Sequence, residues 1–258
     1  MQTVFAEPQV LLATALAVVL VGLSKGGLGG AFALLGVPVM ALVMPPVQAA
    51  AILLPILLIM DAVGLWTWRG WVDGRVLRDT LPAAVLGIGA GWVAAAWTSD
   101  AAVRLIVGLV ALGFVARVVW TAVRAGREAP AGNRPGAAWG WGALAGFTSF
   151  VAHAGGPPYQ VYTLPMRMDP RLFTGTSVVF FAVVNAVKVL PYTALGLFDA
   201  AVLGSALMML PLAVLAVLAG AALVRRMRPA VFYPFMYAMI TLVGLKLVHD
   251  GVTGLWAG

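Results

Sequence analysis

A small set of polar side chains lies far from any loop of this strongly apolar chain. The set comprises Ser24, Lys25, Asp61, His153, Gln160, Asn185 and Lys188, with the hydroxyls of residues 174–177. An ionisable group deep in an apolar segment is costly and by default marks a functional site. Lysines attract anions, amides and hydroxyls donate hydrogen bonds to them, and Asp61 or His153 could carry protons near neutral pH. The residue types therefore indicate a buried polar site suited to an anion.

Two glycine-rich breaks interrupt the apolar runs, at residues 24–30 (SKGGLGG) and 153–158 (HAGGPP). Glycine costs a helix about 1 kcal/mol and proline about 3, so such breaks need backbone partners from protein or a polar cavity. Open amides of consecutive glycines and the positive ends of half-helices stabilise negative charge. We therefore predict a substrate site made of Ser24, Lys25, Gly26, Gly27, Gly29, Gly30, Asp61, His153, Gly155, Gly156, Tyr159, Gln160, Thr176, Asn185 and Lys188.

Three structural alternatives stand beside this interpretation. Gly22, Gly26 and Gly30 follow a small-xxx-small spacing, so the first break could be a close-packing helix face from which Lys25 snorkels. Lys188 could pair with Asp61 as a cross-brace instead of contacting substrate. The tryptophans near the predicted cytoplasmic boundaries favour interfacial anchoring; they are Trp66, Trp68, Trp71, Trp139 and Trp141.

Composition defines the class of protein. Hydrophobic residues form 62% of the 258 residues and charged residues 10%, and long uncharged runs predict a multi-pass membrane protein. Cysteine is absent and only two histidines are present, so we predict no metal site, no cofactor and no catalytic residue. The net charge of +7 comes from arginines in short loops, where membrane topology explains it better than nucleic-acid binding.

The chain divides into two similar halves around a polar linker. We predict a first repeat at residues 1–125, a cytoplasmic linker at 126–137 and a second repeat at 138–258. The same order of landmarks recurs in both halves, and Asp61 in the first matches Asn185 in the second. Arginine placement makes the cytoplasmic loops of one half correspond to outer loops of the other, so the repeats are inverted and both termini are predicted to be periplasmic.

Segment lengths predict the shape of the breaks. Val10–Gly22 and Ala31–Val43 are each about 13 residues, or about 20 Å of helix, which is short for a crossing. The predicted fold is thus an all-α integral membrane protein with two inverted-topology repeats. Each repeat has one re-entrant broken-helix hairpin and three transmembrane helices, and the two hairpin tips meet near the membrane midplane.

The motifs resemble those of the sulfite exporter TauE/SafE family. The matching positions are Gly26-Gly27-x-Gly29-Gly30 followed by Pro38, and Gly155-Gly156-Pro157-Pro158 followed by Pro165, and the resemblance covers nearly the whole chain. It implies a carrier of the bacterial inner membrane for sulfite, sulfoacetate or another organosulfonate. Lys25 is not carried over from the family, and its predicted role rests on electrostatics.

The leading hypothesis is a secondary transporter that moves a small anion by alternating access around a midplane site. The predicted partners are the anion and the lipid bilayer, without nucleic acid, and a homodimer stays open. An anion channel on the same fold is one alternative. Another is an intramembrane serine hydrolase, since residues 22–26 fit G-x-S-x-G, but that motif needs a strand-to-helix elbow. We predict a protein that is not an enzyme.

Overall fold

The computed structural model describes residues 7–28, 33–94, 97–125, 132–194 and 200–256, and their regular structure is helical. The helices are α1 (Pro8–Leu23), α2 (Gly36–Met40), α3 (Pro46–Trp68), α4 (Gly74–Ala94), α5 (Asp100–Ala125), α6 (Pro135–Ala152), α7 (Gly156–Thr163), α8 (Pro170–Ala194), α9 (Ala200–Met208), α10 (Leu210–Arg226) and α11 (Pro229–Trp256). A π-helical segment at Ser24–Leu28 continues α1, and 3₁₀ turns at Ala33–Leu35 and Leu164–Met166 precede α2 and follow α7.

Five described helices are long and apolar enough to cross a membrane. They are Pro8–Leu28, Gln48–Trp68, Asp100–Arg124, Pro170–Leu190 and Pro229–Trp256. A sixth crossing results if α9 and α10, which meet at a bend of 52°, form one span. The predicted all-helical, multi-pass architecture is confirmed at this level.

The first apolar segment is longer than the sequence predicted. Val10–Gly22 is predicted to be a half-helix too short to cross, whereas the apolar segment Pro8–Leu28 has 21 residues, with a kink at Gly27. The helix therefore continues past Gly22 and Gly26, and the backbone leaves helical geometry only at Gly27. On length and composition this segment can span the membrane.

The first compact unit contains residues 1–72 and 174–227. In it the chain doubles back after the first break, because a Cβ added at Gly36 of α2 would lie 2.7 Å from Cγ2 of Val21 in α1. Helix α1 also packs closely on α10, where a Cβ added at Gly22 would lie 2.4 Å from Cβ of Ala216. The core of this unit is formed by apolar side chains of α1, α3, α9 and α10.

The second compact unit contains residues 73–173 and 228–258. Helices α4 and α6 touch backbone to backbone: a Cβ added at Gly146 would lie 2.0 Å from the carbonyl oxygen of Ala84. Helices α5 and α11 meet in the same way at Gly108 and Gly244. Small residues give this close approach in membrane helices because lipid offers no hydrophobic drive for association.

Each unit draws helices from both sides of the predicted linker. The helix before the first break, α1, packs on α10, and the helix before the second break, α6, packs on α4. In both units, therefore, the helix that leads into a break packs on a helix from the other predicted half. The predicted boundaries at 1–125, 126–137 and 138–258 describe sequence repeats and stay a prediction.

Candidate functional site

The first break is a change of helix type followed by one unusual residue. Residues 24–28 form π-helical turns, and Gly27 has φ 135° and ψ 0°, a conformation that residues with a Cβ rarely adopt. Ser24, Gly26 and Gly27 are buried. The break therefore depends on glycine at position 27, and Lys25 lies two residues before the point where the backbone leaves the helix.

Lys25 and Asp61 form an ion pair in the interior of the first unit. The Lys25 Nζ lies 2.6 Å from Oδ1 of Asp61, and their side chains are 13% and 4% exposed. The other carboxylate oxygen, Oδ2, accepts a hydrogen bond of 2.6 Å from Nδ2 of Asn185. Both oxygens of Asp61 are therefore held by groups that the sequence predicts to bind substrate.

Lys188 belongs to the same cluster. It follows Asn185 by three residues on α8, so the two side chains share a helix face. The residue is 2% exposed, and the charges of Lys25 and Asp61 both act on its ammonium group. Two lysines and one aspartate thus lie together, and with all three ionised the polar cluster carries a formal charge of +1.

The small-xxx-small alternative holds for packing but not for Lys25. A Cβ added at Gly26 would lie 2.4 Å from the carbonyl oxygen of Val217 and 2.7 Å from Cα of Gly220, so this face does pack against α10. Lys25 does not snorkel, since its ammonium group is paired with Asp61. One side of this helical turn therefore packs closely on α10, and the other side presents the charged group of Lys25.

Trp68 departs from the predicted interfacial role. Its side chain is 1% exposed, whereas Trp66, two residues earlier, is 65% exposed. The Trp68 Nε1 donates a hydrogen bond of 3.2 Å to the carbonyl oxygen of Gly26, the residue just before the kink at Gly27. Arg225 lies over the Trp68 ring at 5.2 Å and donates to the Thr67 carbonyl at 2.7 Å. No sequence signal separates Trp68 from its neighbours, because the contact joins positions 42 residues apart.

Two threonines of α8 are buried in this unit. Thr174 is 1% exposed, and a Cβ added at Gly27 would lie 3.2 Å from its Oγ1. That hydroxyl has no hydrogen-bond partner among the described residues. Thr176, a predicted site residue, is fully buried two positions further on. Among the α8 hydroxyls, Thr174 therefore lies beside the break at Gly27, and the sequence indicates it only as one of a run of hydroxyls.

The second break, in the second unit, is closed by its own helix. His153 ends α6 in the left-handed region at φ 51°. The N–H of Ala154 donates to the Thr148 carbonyl oxygen at 3.0 Å, and the Thr148 Oγ1 lies 3.2 Å from the Ala154 carbonyl oxygen. A left-handed residue at this position is a common end for a helix, although glycine usually fills it.

The predicted residues after the second break are buried against α6. A Cβ added at Gly155 would lie 2.6 Å from the carbonyl oxygen of Ala145, so α7 turns back onto α6. Gly156 begins α7, and Tyr159 and Gln160, which follow, are 1% and 6% exposed. The eight-residue helix is about 12 Å long, which suits the predicted short return arm of a hairpin.

The structure gathers part of the predicted site. In the first unit, Lys25, Asp61, Asn185 and Lys188 form the polar cluster, with Ser24, Gly26 and Gly27 forming the adjacent break. In the second unit, His153, Gly155, Gly156, Tyr159 and Gln160 form the second break. Gly29 and Gly30 lie outside the described residues. A meeting of the two breaks at the midplane stays a prediction.

The serine in G-x-S-x-G does not have the setting that its chemistry requires. Ser24 is 7% exposed and lies in π-helical backbone, whereas a nucleophile elbow joins a strand to a helix. Among the described residues, no group of three or more His, Asp or Glu is placed to hold a metal ion.

Comparison with known proteins gives one match. The family model described as sulfite exporter TauE/SafE matches residues 14–247, which is most of the chain. No curated protein and no solved structure matches.

Proposed function

The chain belongs to the sulfite exporter TauE/SafE family, and we propose that it is a secondary transporter that binds one small anion at the Lys25–Asp61–Asn185–Lys188 cluster. The substrate class is sulfite, sulfoacetate or another organosulfonate. Membership of the family makes the protein a membrane anion exporter in general terms. The substrate, the site and alternating access are the proposed refinements, together with a location in the bacterial inner membrane.

The observation that carries the proposal is a second buried lysine beside a buried ion pair. Lys25 pairs with Asp61 in the interior of the first unit, and Lys188 lies within electrostatic range of both. Buried ion pairs are poor stabilisers, because desolvation costs about as much as the attraction returns. A buried ion pair with a second buried lysine beside it is therefore better explained by a ligand than by stability. A sulfonate or sulfite would take the place of the Asp61 carboxylate against these donors.

Side chains in and beside the cluster supply neutral donors. The Thr174 hydroxyl is buried next to Gly27 without a hydrogen-bond partner among the described residues. The Asn185 amide already points at the carboxylate that an anion would replace. Sulfonate and sulfite each offer three oxygen acceptors, which suits ammonium, amide and hydroxyl donors together.

Two observations favour inverted repeats with alternating access. Asp61 and Asn185 occupy equivalent positions of the two predicted repeats, and they are in contact at 2.6 Å. Equivalent residues related by a two-fold axis can touch each other only near that axis. Helix α1 packs on α10 and α6 packs on α4, so each of these pairs also joins a helix of one predicted repeat to a helix of the other. In transporters built this way the substrate lies at the repeat interface.

The test is uptake of [¹⁴C]sulfoacetate and [³⁵S]sulfite by proteoliposomes that contain the purified protein. We expect saturable uptake of at least one probe. Lys25→Met should weaken it about 100- to 1,000-fold, since loss of one charge at about 4 Å removes roughly 4 kcal/mol at an effective dielectric of 20. The matched control is Lys246→Met, which removes the lysine of the Lys246–Asp250 pair in α11 and should leave uptake unchanged.

A second variant separates lost binding from lost folding. Lys25→Met alone leaves Asp61 as an unpaired buried charge, whereas Lys25→Met combined with Asp61→Leu removes both charges and should fold. We expect the double variant to elute as a single species on size exclusion and still to transport nothing. Absence of saturable flux of both probes in the wild-type protein would overturn the proposal. Currents far above carrier rates would replace it with an anion channel.

A further inference from the structure

The carboxylate of Asp61 occupies the place that a substrate anion would take. Its two oxygens are bound by Lys25 Nζ and Asn185 Nδ2, each at 2.6 Å. Lys25 and Asn185 are proposed above to bind the substrate anion. The ionised carboxylate of Asp61 therefore occupies the position of that anion when no substrate is bound. An anion that binds these donors in the same geometry therefore competes with Asp61 for them.

An arriving anion and an ionised Asp61 repel each other at this site. Asp61 is 3% exposed, so little water separates the two negative charges. Like charges in such surroundings favour protonation of one of them. A protonated Asp61 no longer competes for Lys25, and its carbonyl oxygen can still accept the Asn185 hydrogen bond. Anion binding and protonation of Asp61 therefore favour each other, and by linkage the effect is reciprocal.

Few other charged groups act on Asp61 from the elements that pack against α3. Lys25 approaches from the π-helical segment and Lys188 from α8. The described residues of α1, α2 and α9 contain no titratable side chain. On α10, Arg225 donates to the Thr67 carbonyl and Arg226 is exposed. Asp61 is thus the one carboxylate among the described residues of these elements.

We propose that Asp61 takes up one proton each time an anion binds, so that the protein moves one proton together with each anion. This rests on the proposed function. The carboxylate gains a proton from water on the side where the anion enters, which forms one O–H bond and ends the contact with Lys25. When the anion leaves on the other side, that O–H bond breaks, the proton follows, and the carboxylate returns to Lys25. No electron transfer and no further reactant is needed.

The test measures proton coupling with the same probes. Proteoliposomes with membrane potential clamped to zero by valinomycin and potassium receive a pH gradient, and accumulation of [¹⁴C]sulfoacetate or [³⁵S]sulfite is followed. One proton per anion predicts about tenfold accumulation per pH unit on the alkaline side. Asp61→Asn keeps the shape of the side chain and cannot take up the proton. Whatever its rate of probe exchange, it should accumulate none.

The matched control is Asp250→Asn, which neutralises the aspartate of the Lys246–Asp250 pair, 2.7 Å apart in α11. It should accumulate probe as the wild-type protein does. A second readout on the wild-type protein needs no variant: calorimetric titration with sulfoacetate in buffers of different ionisation enthalpy should show uptake of about one proton per bound anion.

The outcomes distinguish this inference from the function on which it rests. If the wild-type protein exchanges the probe without accumulating it, or binds it without proton uptake, proton coupling is overturned. The proposed transport function is unaffected by that result. Accumulation by Asp61→Asn overturns the role of Asp61. If the wild-type protein neither binds nor exchanges either probe, the proposed function fails and this inference fails with it.

Discussion

At the first break the backbone is held by side chains from distant parts of the sequence, whereas at the second it is held by α6 itself. Trp68 reaches the Gly26 carbonyl across 42 residues, and Lys25 meets Asp61 and Asn185 through two further helices. At His153 the hydrogen bonds join residues six positions apart. Glycine-rich breaks with similar sequences can therefore differ in whether distant helices or the adjoining helix supply their hydrogen-bond partners.

The difference also concerns charge. The first break places a lysine beside its glycines and pairs it with a buried aspartate. The second break is opened by His153 and followed at once by Pro157 and Pro158, which favour the start of a helix. We therefore expect variants at the first break to disturb both folding and transport, and variants at the second to act more locally.

The largest effect on stability is expected from Gly26→Ala. The added methyl group would lie 2.4 Å from the Val217 carbonyl oxygen and 2.7 Å from both Ala221 N and Gly220 Cα, which are backbone atoms that cannot rotate away. Overpacking of this kind costs about 3 kcal/mol. The control is Gly89→Ala in α4, where nothing lies within 4 Å and where alanine should stabilise the helix by about 1 kcal/mol. Unfolding by SDS titration measures both, and equal stabilities would contradict the α1–α10 contact.

A smaller loss of stability is expected from Trp68→Phe. Phenylalanine keeps the ring but removes the N–H, so the Gly26 carbonyl loses its donor at a cost of about 1–3 kcal/mol. Probe uptake should fall as well, because Gly26 adjoins Lys25. Trp66→Phe, at a side chain that is 65% exposed, is the control and should change neither property. If the two variants behave alike, Trp68 has the interfacial role that the sequence predicted.

The smallest effect on stability is expected from His153→Gly, which should raise the stability of the protein instead of lowering it. Glycine adopts φ 51° without the steric cost of about 1 kcal/mol that other residues carry in the left-handed region. The variant should therefore be slightly more stable in SDS titration. If His153 also contacts substrate, the KM for the probes rises while stability does not fall. His249→Ala, on exposed α11 surface, is the control; an unchanged KM would limit His153 to ending α6.

Part of the site was predictable because polar residues in an apolar chain are conspicuous. Lys25, Asp61, Asn185 and Lys188 were each identified from residue type and depth in an apolar run, and the structure brings them together. The partner of Asp61 was not predictable. Lys188 is the partner that residue chemistry suggests, whereas the structure places Lys25 Nζ 2.6 Å from Oδ1 of Asp61.

The length of the first arm shows why another part was wrong. Counting residues to the first glycines gave a short half-helix, since glycine usually ends a helix. Gly22 and Gly26 instead pack against α10, and that contact stabilises helical backbone through both of them. The conformational cost of glycine is offset by close packing, and a single sequence does not reveal the packing partner.

Apolar composition and buried charge act at each position independently, so residue types alone predict the class of protein, most of the helical segments, the two breaks and the residues of the polar cluster. Packing between helices fixes which side chain binds the Gly26 carbonyl and which lysine pairs with Asp61. These depend on contacts between helices far apart in the chain, where distance and direction decide between partners of the same chemistry.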